Sequence, residues 1–190
     1  MNKIYTAVIF MILLLCFIMP NVYSEQAEPL SYTDVVDVKD AGSPELYRRC
    51  KLWFADTFVD SKNVLEIEDQ DVGMLVGKGM IRYEPNVFMS SALTRGFIRF
   101  TVKIMIKDGR YKYLFTDFTH QGSYSSSGFG PINFGLITTA TTCPTIQGTS
   151  KGAREALWTN MKQVSEQEVK KLINSLELAM SKPASIEENW

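Results

Sequence analysis

The side chains able to do chemistry are few, and their spacing excludes more than it offers. His120 is the single histidine of the 190-residue chain, and it stands just before Ser123, Ser125, Ser126 and Ser127. An imidazole beside a hydroxyl is the elementary pair of nucleophilic catalysis, but no G-x-S-x-G elbow presents the nucleophile. A lone histidine near a strand end is therefore expected to be structural or solvated. Glu66, Glu68, Asp69 and Asp71 crowd one turn and offer the oxygen donors that calcium takes, yet they lack the EF-hand spacing and its glycine. The expectation there is an acidic, solvated turn. Gly73 to Gly79 reads GMLVGKG, one residue short of P-loop spacing and followed by no helix whose N-terminus would face a phosphate. There is no C-x-x-C and no H-E-x-x-H, and Cys50 and Cys143 are far apart, so no metal centre or other cofactor is called for.

What remains is a surface, and one hairpin must build it. Ile98, Phe100, Val102, Ile104 and Ile106 alternate with Arg99, Thr101, Lys103, Met105 and Lys107, the period of a half-buried strand. Asp108-Gly109 follows, a dipeptide suited to a type I′ bend because both central positions of that turn need positive φ. Lys107 then pairs with Arg110, and the register runs outward from there. Ile106, Ile104, Val102 and Phe100 face Tyr111, Tyr113, Phe115 and Asp117 on the core side. The other side pairs Lys107 with Arg110, Met105 with Lys112, Lys103 with Leu114, Thr101 with Thr116 and Arg99 with Phe118. That side is amphipathic and basic, and suits an anionic or amphipathic ligand or a partner chain. The plainer alternative is a solvated sheet face whose Lys and Arg stems cover apolar neighbours.

The rest of the chain reads as supports for that hairpin. Residues 25–32 are a polar leader, and 33–182 form one α+β domain. Residues 33–38 form a first strand, Asp40-Ala41-Gly42 a turn, and Ser43-Pro44-Glu45 the capped start of a helix. Leu46, Cys50, Trp53, Phe54 and Phe58 recur at helical spacing, with Arg48, Arg49, Lys51 and Asp56 largely opposite. Residues 60–63 end the helix; 64–68 and 74–83 are strands, Gly77 and Gly79 marking a bulge or a close backbone approach, and Pro85-Asn86 a stop. Residues 121–150 turn to Gly, Ser, Thr and Pro with scattered Phe129, Ile132, Phe134, Leu136 and Ile137, a binding loop or a segment with a short hairpin of its own. Ala153, Leu157, Met161 and Val164 start a closing helix, and Ser165-Glu166-Gln167-Glu168 reads as a capping box that begins another over Val169, Leu172, Ile173, Leu176 and Met180. Residues 183–190 are a loose tail. The order β-α-β-β-β-β-α predicts two layers, a mostly antiparallel sheet with helices on one face.

Ahead of this domain, Lys3 precedes a charge-free apolar run from Ile4 to Pro20, the pattern of a signal peptide with cleavage expected after Ser24. The run is too short for the roughly 20 residues of a membrane span. Removing 1–24 takes Lys3 away, so 20 basic residues become 19 against 21 acidic, a formal charge of −2. That balance gives no global pull toward nucleic acid, and the membrane is met only in transit. An exported chain can keep a disulfide, so a Cys50–Cys143 bridge is open, though two separate thiols serve equally.

Val36-Asp37-Val38, Glu45-Leu46-Tyr47, Trp53, Asn63-Val64, Gly77-Lys78-Gly79 and above all Lys107-Asp108-Gly109-Arg110-Tyr111-Lys112-Tyr113 resemble a bacterial family, DUF4468, a domain of unknown function with a TBP-like fold. The resemblance spans most of the mature chain and implies that fold and an exported setting; it brings no activity and no catalytic residues. A TBP-like sheet can lie on a DNA minor groove, but an acidic, exported chain argues against that use. The expected function is a non-catalytic envelope or secreted module that holds a ligand or envelope protein. Its candidate contacts are Arg99, Lys103, Met105, Lys107, Arg110, Lys112, Leu114 and Phe118 on the sheet, with Phe129 and Phe134 from the loop. A hydrolytic enzyme using His120 or the acidic turn, or a structural subunit of an envelope assembly, are the alternatives.

Overall fold

The computed structural model describes residues 27–58, 64–85, 91–124 and 130–182; the expected signal peptide, the 60–63 helix end and the 183–190 tail lie outside them, as does Asn86. Strand β4 (Gly96–Lys107) and strand β5 (Arg110–Gly122) form the expected hairpin, with Lys107 opposite Arg110. Gly109 takes φ 72°, whereas positive φ among described non-glycine residues is confined to Asp40 and Asp117. The bend is thus not type I′, because Asp108 stays out of the left-handed region. Its carboxylate has another task. Asp108 Oδ1 accepts the Ser43 N–H at 2.7 Å, and the Gly109 N–H donates to Ala41 O at 3.0 Å. The hairpin tip therefore docks on the start of helix α1 (Ser43–Thr57), whose cap position is Gly42 and not Ser43. A glycine has no side chain to satisfy the first-turn N–H groups, and Asp108 supplies an acceptor from a distant part of the chain.

Around this hairpin lie β1 (Tyr32–Asp37), β2 (Leu65–Asp69), β3 (Met74–Tyr83) and the short β6 (Gly135–Leu136). The sheet order is β1-β5-β4-β3-β2 with β6 on β5, and every pairing is antiparallel. One face is covered by α1 and by the long α3 (Lys151–Ser181); a single turn, α2 (Ser91–Thr94), precedes β4. This is the two-layer α+β architecture expected. Ile104, Val102 and Phe115 are fully buried and Tyr113 is nearly so, so the alternation places the apolar side inward.

Gly79 marks a close approach and no bulge: a Cβ there would lie 2.1 Å from Phe100 Cζ, and one on Gly77 would lie 2.8 Å from Phe54 Cε1. The irregularity falls on the partner strand β2, between Leu65 and Ile67. The capping box at Ser165 does not operate. Helix α3 runs through it without a break, since no Gly or Pro interrupts 153–181, and Ser165 is buried in the packed face. The cap is Ser150, whose side chain accepts from the Ala153 N–H at 3.4 Å. Arg49, placed by helical spacing on the outer side of α1, is also buried. Its guanidinium donates to Glu45 Oε1 at 2.9 Å and to Met180 O at 2.5 Å, so it ties the two helices where the last carbonyls of α3 want donors.

Candidate functional site

The uncovered face of the sheet gathers most of the expected contact residues. Lys107 stands beside Arg110, Met105 beside Lys112, Lys103 beside Leu114 and Thr101 beside Thr116. Directly opposed side chains on one face have Cβ atoms about 5 Å apart, so cations and apolar groups form a checkerboard. Lys103, Met105 and Leu114 are half-buried, while Lys107, Arg110, Lys112 and Arg99 are exposed. Among the described residues none of these five cations makes an ion pair; Lys78 reaches Glu66 at 3.8 Å and Arg82 reaches Glu84 at 2.8 Å. The face is also wider than the hairpin. Val35 of β1 lies next to Lys112, and Met74, Val76 and Met80 of β3 lie next to Met105, Lys103 and Arg99. These neighbours escape a reading of the hairpin alone, although the alternation of β3 carries the signal once Gly77 and Gly79 are counted as core positions.

Two expected contacts belong to the core instead. The β4–β5 ladder shifts register between Arg99 and Thr101, where Asp117 adopts φ 59°. One extra residue on β5 reverses the alternation beyond it. Arg99 therefore pairs with Thr119, Asp117 points to solvent, and Phe118 is fully buried, its ring stacked on Phe100 at 5.5 Å. Phe134 is buried too, edge-on to His120 at 5.5 Å. Phe129 lies outside the described residues. From the loop it is Leu136, 44% exposed and opposite Thr119, that joins the open face.

The described part of the loop otherwise wraps the sheet edge and the helix side. Leu30 N–H donates to Ile137 O at 2.9 Å and Thr139 N–H to Glu28 O at 2.8 Å, so the polar leader is zipped to the loop and not free. Trp158 Nε1 donates to Ala140 O at 3.0 Å, the Cys143 N–H donates to Glu155 Oε2 at 3.0 Å, and Lys162 Nζ reaches Ala140 O.

The remaining chemical candidates are occupied by structural work. His120 is buried with Nε2 3.0 Å from Thr94 O, while Nδ1 accepts the Phe134 N–H at 3.2 Å. The acceptor role of Nδ1 assigns the proton to Nε2. Burial drives its pKa down to about 4, against the smaller upward pull of the Thr94 carbonyl. Of its neighbouring serines, Ser125, Ser126 and Ser127 lie outside the described residues. The acidic turn is dispersed: Glu68 binds Lys51 at 2.6 Å, Glu66 leans to Lys78, and Asp69 Oδ1 accepts the Val72 N–H at 3.0 Å. No group of three potential metal ligands occurs among the described residues. Gly73 to Gly79 runs into β3. Cys50 and Cys143 are both buried free thiols, each made harder to ionise by burial, Cys143 to about 11 with a further push from Glu155.

No curated protein matches the chain. Residues 32–121 match the family model described as a domain of unknown function (DUF4468) with TBP-like fold. The fold is similar to a TBP-like protein from Parabacteroides distasonis, with TM-score 0.55 and 10% identity over 78% of this chain and 93% of that one. It is also similar to a DUF4468 family protein from Bacteroides ovatus, with TM-score 0.55 and 12% identity over 83% of this chain and 89% of that one. The family match runs from β1 through β5, and the fold of the chain is TBP-like.

Proposed function

We propose that this is an exported, non-catalytic module of the cell envelope or its surroundings that holds a ligand or partner protein on the open face of its sheet. The observation that carries the reading is the state of Arg99, Lys103, Lys107, Arg110 and Lys112, cations without carboxylate partners among the described residues, set beside half-buried Met105 and Leu114. Apolar area buried on contact supplies affinity, and unpaired cations around it select the sign of the partner and speed its approach. Leu136 extends the surface at the loop edge. The engagement of both His120 nitrogens in structural hydrogen bonds supports a binding role over a hydrolytic one, and the N-terminal pattern of residues 1–24 supports export.

A photo-cross-linking amino acid at position 105, in the full chain expressed with its own leader in a bacterium, tests the face. Discrete adducts that disappear in the Lys103→Glu, Arg110→Glu double variant are expected, with none from a cross-linker at Lys170 on exposed α3. Equal labelling from both positions, or adducts indifferent to charge reversal, would remove this surface. N-terminal sequencing of the same material is expected to begin at Glu25; an uncut chain retained in the cytoplasm would remove the export reading.

A further inference from the structure

The open face is not uniformly cationic, and its pattern limits what fits there. Nearest the bend, a row across the strands reads Asp37, Arg110, Lys107; the next reads Val35, Lys112, Met105, Met74, Asp69; the third reads Thr33, Leu114, Lys103, Val76, Ile67. In these three rows the cations sit only on β4 and β5, with apolar side chains between and beside them. Carboxylates stand on the rims, at Asp37 and Asp69. Neighbouring strands are about 4.8 Å apart, so the cationic lane is only about 10 Å wide. A bilayer surface or a nucleic-acid duplex is broader than that and would press its phosphates against both rims. A single extended chain fits between them.

At the bend end of this lane lies a groove of about 280 Å³ lined by Val35, Met105, Lys107, Arg110, Tyr111 and Lys112. Its lining has three cations, an apolar floor and no carboxylate. The larger cleft further along the same face, about 590 Å³, mixes signs, with Glu66 and Asp117 facing Lys78 and Arg99. The whole-chain charge balance hides this separation, because net charge averages a lane and its rims into near neutrality.

We propose that the groove binds a single-chain amphiphilic anion, an alkyl chain bearing one carboxylate-like head. The assignment rests on the open face being the binding surface and names its ligand class. The planar fork of Arg110 takes the head two-handed while Lys107 and Lys112 neutralise it as point charges. Met105, unbranched and adaptable, and Val35, 51% exposed, receive the first carbons. The volume lies at about the lower limit of small-ligand pockets, so it seats the head and the proximal chain, and the distal carbons run over Met74 and Val76.

Calorimetric titration of the mature protein with laurate below its micelle concentration tests this, with acetate as head without chain and dodecyl maltoside as chain without charge. Laurate is expected to bind at least tenfold more tightly than either. The Arg110→Glu, Lys112→Glu variant should lose at least tenfold and the milder Lys112→Ala about fivefold, circular dichroism confirming that both are folded. In the wild type, laurate should shift the Met105 methyl resonance and leave that of buried Met161 in place. Laurate no tighter than dodecyl maltoside, or unaffected by charge reversal, overturns the ligand class. If laurate fails while the position-105 cross-linker still yields charge-dependent adducts to a protein, the ligand class falls and the binding face stands; if both fail, both fall.

Discussion

The two halves of the β4–β5 hairpin both alternate between core and solvent, but on β5 they do so with opposite parity. From Lys107 and Arg110 to Thr101 and Thr116, alternation holds, and every second side chain is offered to solvent. Beyond the shift at Asp117 the same strand sends Phe118 and His120 into the core, where Phe118 stacks on Phe100 and His120 links Thr94 to Phe134. Before the bulge the odd-numbered Tyr111, Tyr113 and Phe115 face the core; after it the even-numbered Phe118 and His120 do. One inserted residue makes the difference, and it does so by parity and not by hydrophobicity.

The comparison breaks or holds on the cost of truncation. Phe118→Ala should lose about 3–5 kcal/mol as a buried aromatic, whereas Leu114→Ala, on the open face between the bend and the bulge, should lose no more than about 1 kcal/mol. Urea midpoints decide it; similar losses at the two positions would mean that the ladder keeps its parity. A smaller effect comes from His120. Burial holds its pKa at about 4 in the folded protein, below the ordinary 6.5 of a histidine, so between those limits the unfolded chain binds up to one more proton. Stability from this group is complete above about pH 6.5 and falls as the pH drops toward 4, by a total of about 3 kcal/mol. As the only histidine, its resonance can be titrated directly in the native protein, and a midpoint near 6.5 would place the ring in water. The smallest effect sharpens the bulge itself. Asp117 at φ 59° pays a left-handed penalty that glycine avoids, so Asp117→Gly should raise stability by about 0.5 kcal/mol and Asp117→Val should lower it by about 1 kcal/mol.

The part of this molecule legible in sequence is the part governed by period. Ile98 to Ile106 fixes a strand, Asp108-Gly109 fixes the register, and the displayed cations follow by counting. Counting fails at Asp117 because a bulge leaves the residues on each side unchanged in type. The one local hint was an aspartate, a residue tolerant of positive φ, standing where a core position was due. Arg49 departs from the helical-spacing reading for a different reason, because its burial depends on Met180 O, 131 residues away; Ser165 is carried into the packed face by the unbroken period of α3. Trp158, fully buried and anchored to Ala140 O, sits outside the simple 153-157-161-164 stripe and was visible only once the loop had somewhere to pack. The expectation for Phe134 rests on composition, which says that apolar groups are present and nothing of which way they turn.

The bond from the Ser43 N–H to the Asp108 carboxylate spans 65 residues. The amide of Ser43, followed by its hydroxyl, holds that carboxyl below its ordinary range. A chain made N-terminus first presents α1 well before the residue that caps its first turn. The first turn of α1 therefore gains this acceptor only when the central hairpin has closed, despite the helix's early place in the chain.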